Sequence, residues 1–290
     1  MTTALKTKTS SCEIRSLGGE LASLRRLDTG IEYLWNGDPQ YWSGSSPVLF
    51  PIVCALKDGK MEWKGQKYSI GNHGFVRKSE FEVVSTTESE AIFRQSWSEE
   101  TLKAYPFRYE LTVRYLLAGN KLRITYQVAN RGAQPMPFQI GTHPGFRCPL
   151  TEQERFEDYY LEFERDEKLE RFFLDPANTI ISGKSALLPP GRRLPLTREL
   201  FSDGALVFKK VRSRKVTLRS RTSDHKVEVV SENLPALGIW QAKGAPFVCI
   251  EPWHGLADSN DFQGSFTEKE LMVQLDPQKS FECFLEISVD

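Results

Sequence analysis

The chain has 290 residues, 40% of them hydrophobic and 26% charged, with 38 basic side chains balancing 38 acidic ones. Enough apolar surface exists to build a core, which excludes a disordered chain, and the zero formal charge gives no basic excess for a nucleic-acid backbone. No window of about 18 consecutive apolar residues occurs and the first residues lack the apolar stretch of a secretory leader, so neither a membrane partner nor export is expected.

In chain order the predicted elements are short strands. Asp58-Gly59 and Asn72 mark turns, and Glu80-Phe81-Glu82-Val83-Val84 alternates in polarity. Phe107, Tyr109, Leu111, Val113 and Tyr115 give one strand an apolar face. Leu122, Ile124, Tyr126 and Val128 repeat it, and Ala118-Gly119-Asn120 between them predicts a hairpin. Residues 152–171 are rich in charge, yet Tyr159, Leu161 and Phe163 alternate there, so a strand is expected. Pro189-Pro190-Gly191 is a further turn. Basic residues crowd from Lys209 to Arg221, but Lys215 to Arg221 alternates in the manner of a strand with one wet face, not a phosphate-binding patch. Val227 and Val229, then Phe281, Cys283, Leu285, Ile287 and Val289, follow the same rule. Helical periodicity is sparse and no linker divides the chain. The expected fold is all-β, a large antiparallel β-sandwich with little helix, forming a single domain over residues 1–290.

The five cysteines, Cys12, Cys54, Cys148, Cys249 and Cys283, are odd in number, far apart and without a CxxC pair. Reduced, mostly buried thiols in a cytoplasmic protein fit this better than a disulfide frame. The four histidines, His73, His143, His225 and His254, show neither a His-x-His nor an H-E-x-x-H pattern, so no metal site is expected. GxGxxG, GxxxxGK[ST] and GxSxG are absent as well, and no cofactor is expected.

Three segments place titratable residues among apolar, turn-forming ones: Asn72 to Glu82, Gly141 to Pro149, and Phe247 to Asp258. Phe247 to Ile250 reads as a buried strand that Glu251 closes just before Pro252. A carboxylate there is aimed rigidly and partly desolvated, as a general base requires, or is simply satisfied by backbone amides or an arginine. His143 stands at a similar strand-to-turn junction, where it either donates a proton near neutral pH or is a core histidine bonded to a carbonyl. Arg77 either clamps a sugar hydroxyl or phosphate, or pairs with Glu80 or Glu82.

Together, Tyr33 to Trp42, Ser46 to Val53, Leu56 to Gly59, His73 to Arg77, Thr142 to Phe146 and Glu251 to Gly255 resemble the aldose 1-epimerase (galactose mutarotase-like) family, and its LacX-like branch in particular. The motifs run in family order across residues 33–258. The resemblance implies a β-sandwich with an open sugar cleft and a reaction that interconverts α and β anomers of an aldose. Glu251 then matches the general base on the anomeric hydroxyl and His143 the general acid on the ring oxygen. His73 and Arg77 match substrate-binding residues, and Asp203 is the nearest match to an aspartate that binds sugar hydroxyls. Trp42 and Trp253 either stack on a pyranose face or pack in the core. A carboxylate near His143 is expected to favour the imidazolium.

Two other functions compete. A hexose-6-phosphate mutarotase would receive the phosphate on Lys57, Arg77 or Arg147, and a crowd of cations at one cleft edge would favour it. A non-catalytic sugar-binding or regulatory sandwich would have no need of both Glu251 and His143. The expected partner is therefore a sugar or sugar phosphate.

Overall fold

The alternating apolar positions become the inner faces of two large antiparallel sheets in the computed structural model, which describes residues 1–290. The hairpin forms as its pattern predicts. Strands Tyr109–Ala118 and Lys121–Asn130 pair with Ala118 opposite Lys121, and Gly119 at φ +62° turns the chain. They lie inside a nine-stranded sheet with Glu90–Ser96 on one side and Ser280–Val289 on the other. Tyr159–Glu167 and Lys215–Ser220 belong to the same sheet and pair with each other. On its wet face Arg219 meets Glu162 at 2.8 Å and Lys215 approaches Glu228 at 4.0 Å. The one α-helix is Glu99–Leu102, a single turn with Ser98 as its cap.

The second sheet has eight strands, and it carries the chemistry-bearing segments. Its order runs Ile180–Leu187, Glu170–Leu174, Leu206–Phe208, Ala236–Trp240, Phe247–His254, Ile140–Thr142 and Val48–Leu49, with Gly145–Arg147 also pairing with Phe247–His254. Val248 and Ile250 point into the core shared with the nine-stranded sheet, alongside Phe163, Val216 and Leu285. Phe247, Cys249 and Trp253 point to the other face, where they join two smaller apolar clusters. Both faces are covered, so the run is apolar throughout rather than alternating.

One expectation fails here. Glu251 does not close its strand; the strand continues through Pro252 to His254, with Glu251 opposite Gly238. The proline is tolerated because it falls where the neighbouring strand is interrupted. Ile140–Thr142 ends and Gly145–Arg147 begins across from residues 250–252, so no ladder donor is required of Pro252 there. All five cysteines are free and buried, as expected.

Candidate active site

That interruption builds the site. Gly141 pairs with Trp253 and Gly145 pairs with Cys249, two pairs in one register. The residue midway between the glycines is His143 and the residue midway along the partner strand is Glu251, so they lie directly across from each other on one face. His143 Nε2 sits 3.2 Å from Glu251 Oε2. Glu251 is 2% exposed and His143 8% exposed. Trp42 covers the imidazole at a ring separation of 4.9 Å, and Trp240 meets it edge-on at 5.6 Å.

The electrostatics follow from that apolar box. Burial raises the Glu251 carboxyl well above the ordinary carboxylate range. Burial lowers the His143 imidazole to about 3, and the positive charge of Arg77 also lowers it. Burial therefore works against the imidazolium expected from a nearby carboxylate, and it favours the neutral carboxyl and the neutral imidazole.

His73 is held differently. It adopts φ +62° and Cys54 φ +55°, and the two lock together through backbone and ring. The His73 N–H donates to the Cys54 carbonyl at 2.9 Å, and the Cys54 N–H donates to His73 Nδ1 at 3.0 Å. An Nδ1 that accepts leaves the ring proton on Nε2, so His73 is a fixed donor. Burial keeps it uncharged, with His143 and Arg77 adding to the effect. Gly74 follows at φ +72°, and a Cβ there would lie 2.0 Å from the Phe50 carbonyl oxygen, so only glycine brings this loop so close to the sheet.

Arg77 pairs with neither Glu80 nor Glu82. Glu82 binds Arg94 instead, at 2.8 Å. One Arg77 terminal nitrogen donates to the Asn72 carbonyl at 3.1 Å, while its Nε has no partner within the protein. Half-buried and without a carboxylate partner, this guanidinium retains capacity for a ligand.

His73, Arg77, His143 and Glu251 all line one cleft of about 310 Å³, at the small end of ligand sites. Trp42 and Trp240 form an aromatic wall, and Asp203 lies exposed on its rim. Trp253 reaches the cleft but is 2% exposed, its ring wedged where a Cβ on Gly238 or Gly141 would stand 2.4 or 2.6 Å away. It packs; it offers no open face for a pyranose. Lys57 and Arg147 lie outside the cleft: Lys57 Nζ donates to the Phe262 carbonyl at 2.9 Å, and Arg147 is exposed on its strand. Sequence reasoning missed Asn72, Asp175, Asn178 and Trp240 as lining residues. Asp175-Pro176 signals only a turn, and Trp240 becomes visible only through its pairing with Cys249.

His143, Cys249 and Glu251 also bring one potential metal donor each within 4.8 Å of one another. Burial raises the Cys249 thiol well above its ordinary value.

A buried carboxyl–imidazole pair lining a small cleft on an antiparallel sheet is an arrangement that can give and take protons. Residues 1–273 match the family model for aldose 1-epimerase. Over 282 residues the chain is 36% identical to the plasmid-borne protein LacX of Lactococcus lactis subsp. lactis, a match covering 94% of each. The fold matches the crystal structure of a galactose mutarotase related enzyme from Lactobacillus acidophilus with a TM-score of 0.95 and 33% identity, covering 100% of this chain and 97% of that one. A galactose mutarotase-like protein from Lactobacillus casei ATCC 334 matches with a TM-score of 0.93 and 30% identity, over the full length of both. The chain belongs to the aldose 1-epimerase family.

Proposed function

We propose that this protein is a cofactor-independent isomerase, an aldose 1-epimerase that interconverts the α and β anomers of an unphosphorylated aldose and acts as a single domain in the cytoplasm. The observation that carries the reading is the placement of His143 directly across from Glu251, 3.2 Å apart, in the cleft. Glu251 as carboxylate takes the proton from the anomeric hydroxyl. The C1–O5 bond breaks, its electrons go to O5, and His143 as imidazolium protonates that oxygen. The open-chain aldehyde turns about C1–C2. Glu251 then returns its proton to the carbonyl oxygen while His143 removes the proton from O5 as it attacks C1.

The pair holds one proton throughout. Burial favours the neutral arrangement, which is the one reached after ring opening, and so supports the open-chain intermediate. The charged arrangement needed to start is reached by moving that proton across the 3.2 Å contact, with sugar hydroxyls donating to the carboxylate. His73 Nε2–H and Arg77 then hold sugar oxygens, and Trp42 and Trp240 offer apolar surface to its C–H face. Among the lining residues Arg77 is the one Lys or Arg, against the carboxyls of Asp175 and Asp203, while the Glu251–His143 pair carries no net charge. That balance favours a neutral aldose over its 6-phosphate.

Anomer-exchange NMR over free aldoses and their 6-phosphates tests the assignment. Catalysis of at least one free aldose above the spontaneous rate supports it, whereas catalysis confined to phosphates would replace the substrate class. Arg77→Lys should raise KM several-fold and leave kcat nearly intact, because a forked planar donor becomes a point charge. An unchanged KM would remove Arg77 from the binding set.

The pH profile offers a separate check. Activity needs one proton on the pair, so it falls at the acid end when His143 takes a second, at about 3. It falls at the alkaline end when the raised Glu251 carboxyl ionises with His143 neutral. Enzyme-catalysed kcat/KM should therefore stay level through the ordinary histidine value of ~6.5. An inflection there would mean that His143 titrates as an exposed imidazole.

A further inference from the structure

The part of the cleft remote from the acid–base pair is closed by the turn between Glu170–Leu174 and Ile180–Leu187. Glu251 lies in register with Gly238, Gly238 with Val207, and Val207 with Phe172, so this turn begins three strands away from the reacting centre. Asp175 braces it. Its carboxylate accepts the Ala177 N–H at 2.9 Å, the Thr179 N–H at 3.0 Å and the Thr179 hydroxyl at 2.6 Å, and the Asn178 N–H donates to the Asp175 carbonyl at 2.9 Å. Asn178 caps the turn at φ +63°, exposed yet lining the cleft. These bonds occupy Asp175 and the backbone and leave the Asn178 amide free. The brace fixes the backbone that carries this amide, which lowers the entropic cost of presenting it to a ligand.

Building on the epimerase reading of this cleft, we infer that Asn178 is a specificity-determining residue that hydrogen-bonds a hydroxyl on the end of the aldose away from C1, with Asp175 positioning it. A side-chain amide both donates and accepts, so it can bind a sugar hydroxyl in either sense. Its distance from Glu251 and His143 along the sheet keeps it out of the proton transfers, so its loss should appear in binding and not in chemistry.

The positive φ shapes the test, since glycine keeps this backbone conformation while deleting the amide. Asn178→Gly should weaken affinity for the preferred aldose by about 5- to 10-fold, the scale of one net hydrogen bond, with kcat near wild type. Titration calorimetry with aldohexoses and their 4- and 6-deoxy analogues then completes a cycle. For the analogue lacking the contacted hydroxyl, wild type and Asn178→Gly should bind alike. Asp175→Ala should reproduce the affinity loss and the same deoxy selectivity. Equal affinity of wild type and Asn178→Gly for every aldohexose would overturn the inference and leave Asn178 a turn residue. Affinity is read apart from turnover, which separates the two claims: weakened binding without exchange by the wild type would sink the epimerase reading and keep this one.

Discussion

Replacing His143 with asparagine is expected to lower enzyme-catalysed anomer exchange by about 10²-fold or more, with sugar still bound. Asparagine keeps a polar side chain of similar reach but has no proton to give at O5. The fold should tolerate the change, because His143 Nδ1 has no hydrogen-bond partner in the protein and the ring's one polar contact is with Glu251. His143→Asn combined with Glu251→Gln should lose much less than the product of the single losses. Once either group is gone, the remaining one has no counterpart to complete proton transfer. Exchange rates corrected for the spontaneous reaction, taken on folded variants, decide this. Multiplicative losses would mean that the residues act separately.

The fold was legible because large apolar residues alternate over long runs. Tyr109–Ala118 with Lys121–Asn130, and Ser280–Val289, bury every second side chain against one core, so period two survives in the sequence. The site was legible only as separate pieces. Glu251, His143, His73 and Arg77 stood out by residue type and by family motif, yet nothing local says that His143 faces Glu251. That depends on two three-residue strands, each too short for a periodic signal, keeping one register on either side of a break. The same blindness hid the extension of the strand past Pro252, since a proline inside an apolar run looks like an end. Trp240 and Asn178 were missed because one is an aromatic at a strand end and the other a turn asparagine. Their place in the cleft comes from sheet order. The desolvation of His143 was not legible for a physical reason: the aromatic enclosure by Trp42 and Trp240 is a tertiary feature, and burial lowers the imidazole.

These features give the cleft a consistent logic. The nine-stranded sheet supplies the inner core that fixes Val248 and Ile250, and the same strand presents Cys249, Glu251 and Trp253 on the opposite face. Glu251 is thus carried on a long strand and His143 at the break in its neighbour, while His73, Arg77 and Asn178 come from the segments around them.

Glu251→Gln provides the most direct measurement. Burial raises the Glu251 carboxyl and so favours its neutral acid form, which glutamine mimics in shape and charge. The substitution should therefore leave thermal stability and sugar affinity close to wild type, while removing the carboxylate proposed to take the anomeric proton. Exchange between α and β anomers, followed by NMR on the best free aldose and corrected for the spontaneous rate, should fall by about 10²-fold or more. Exchange near the wild-type rate in a folded, sugar-binding Glu251→Gln protein would contradict the mechanism.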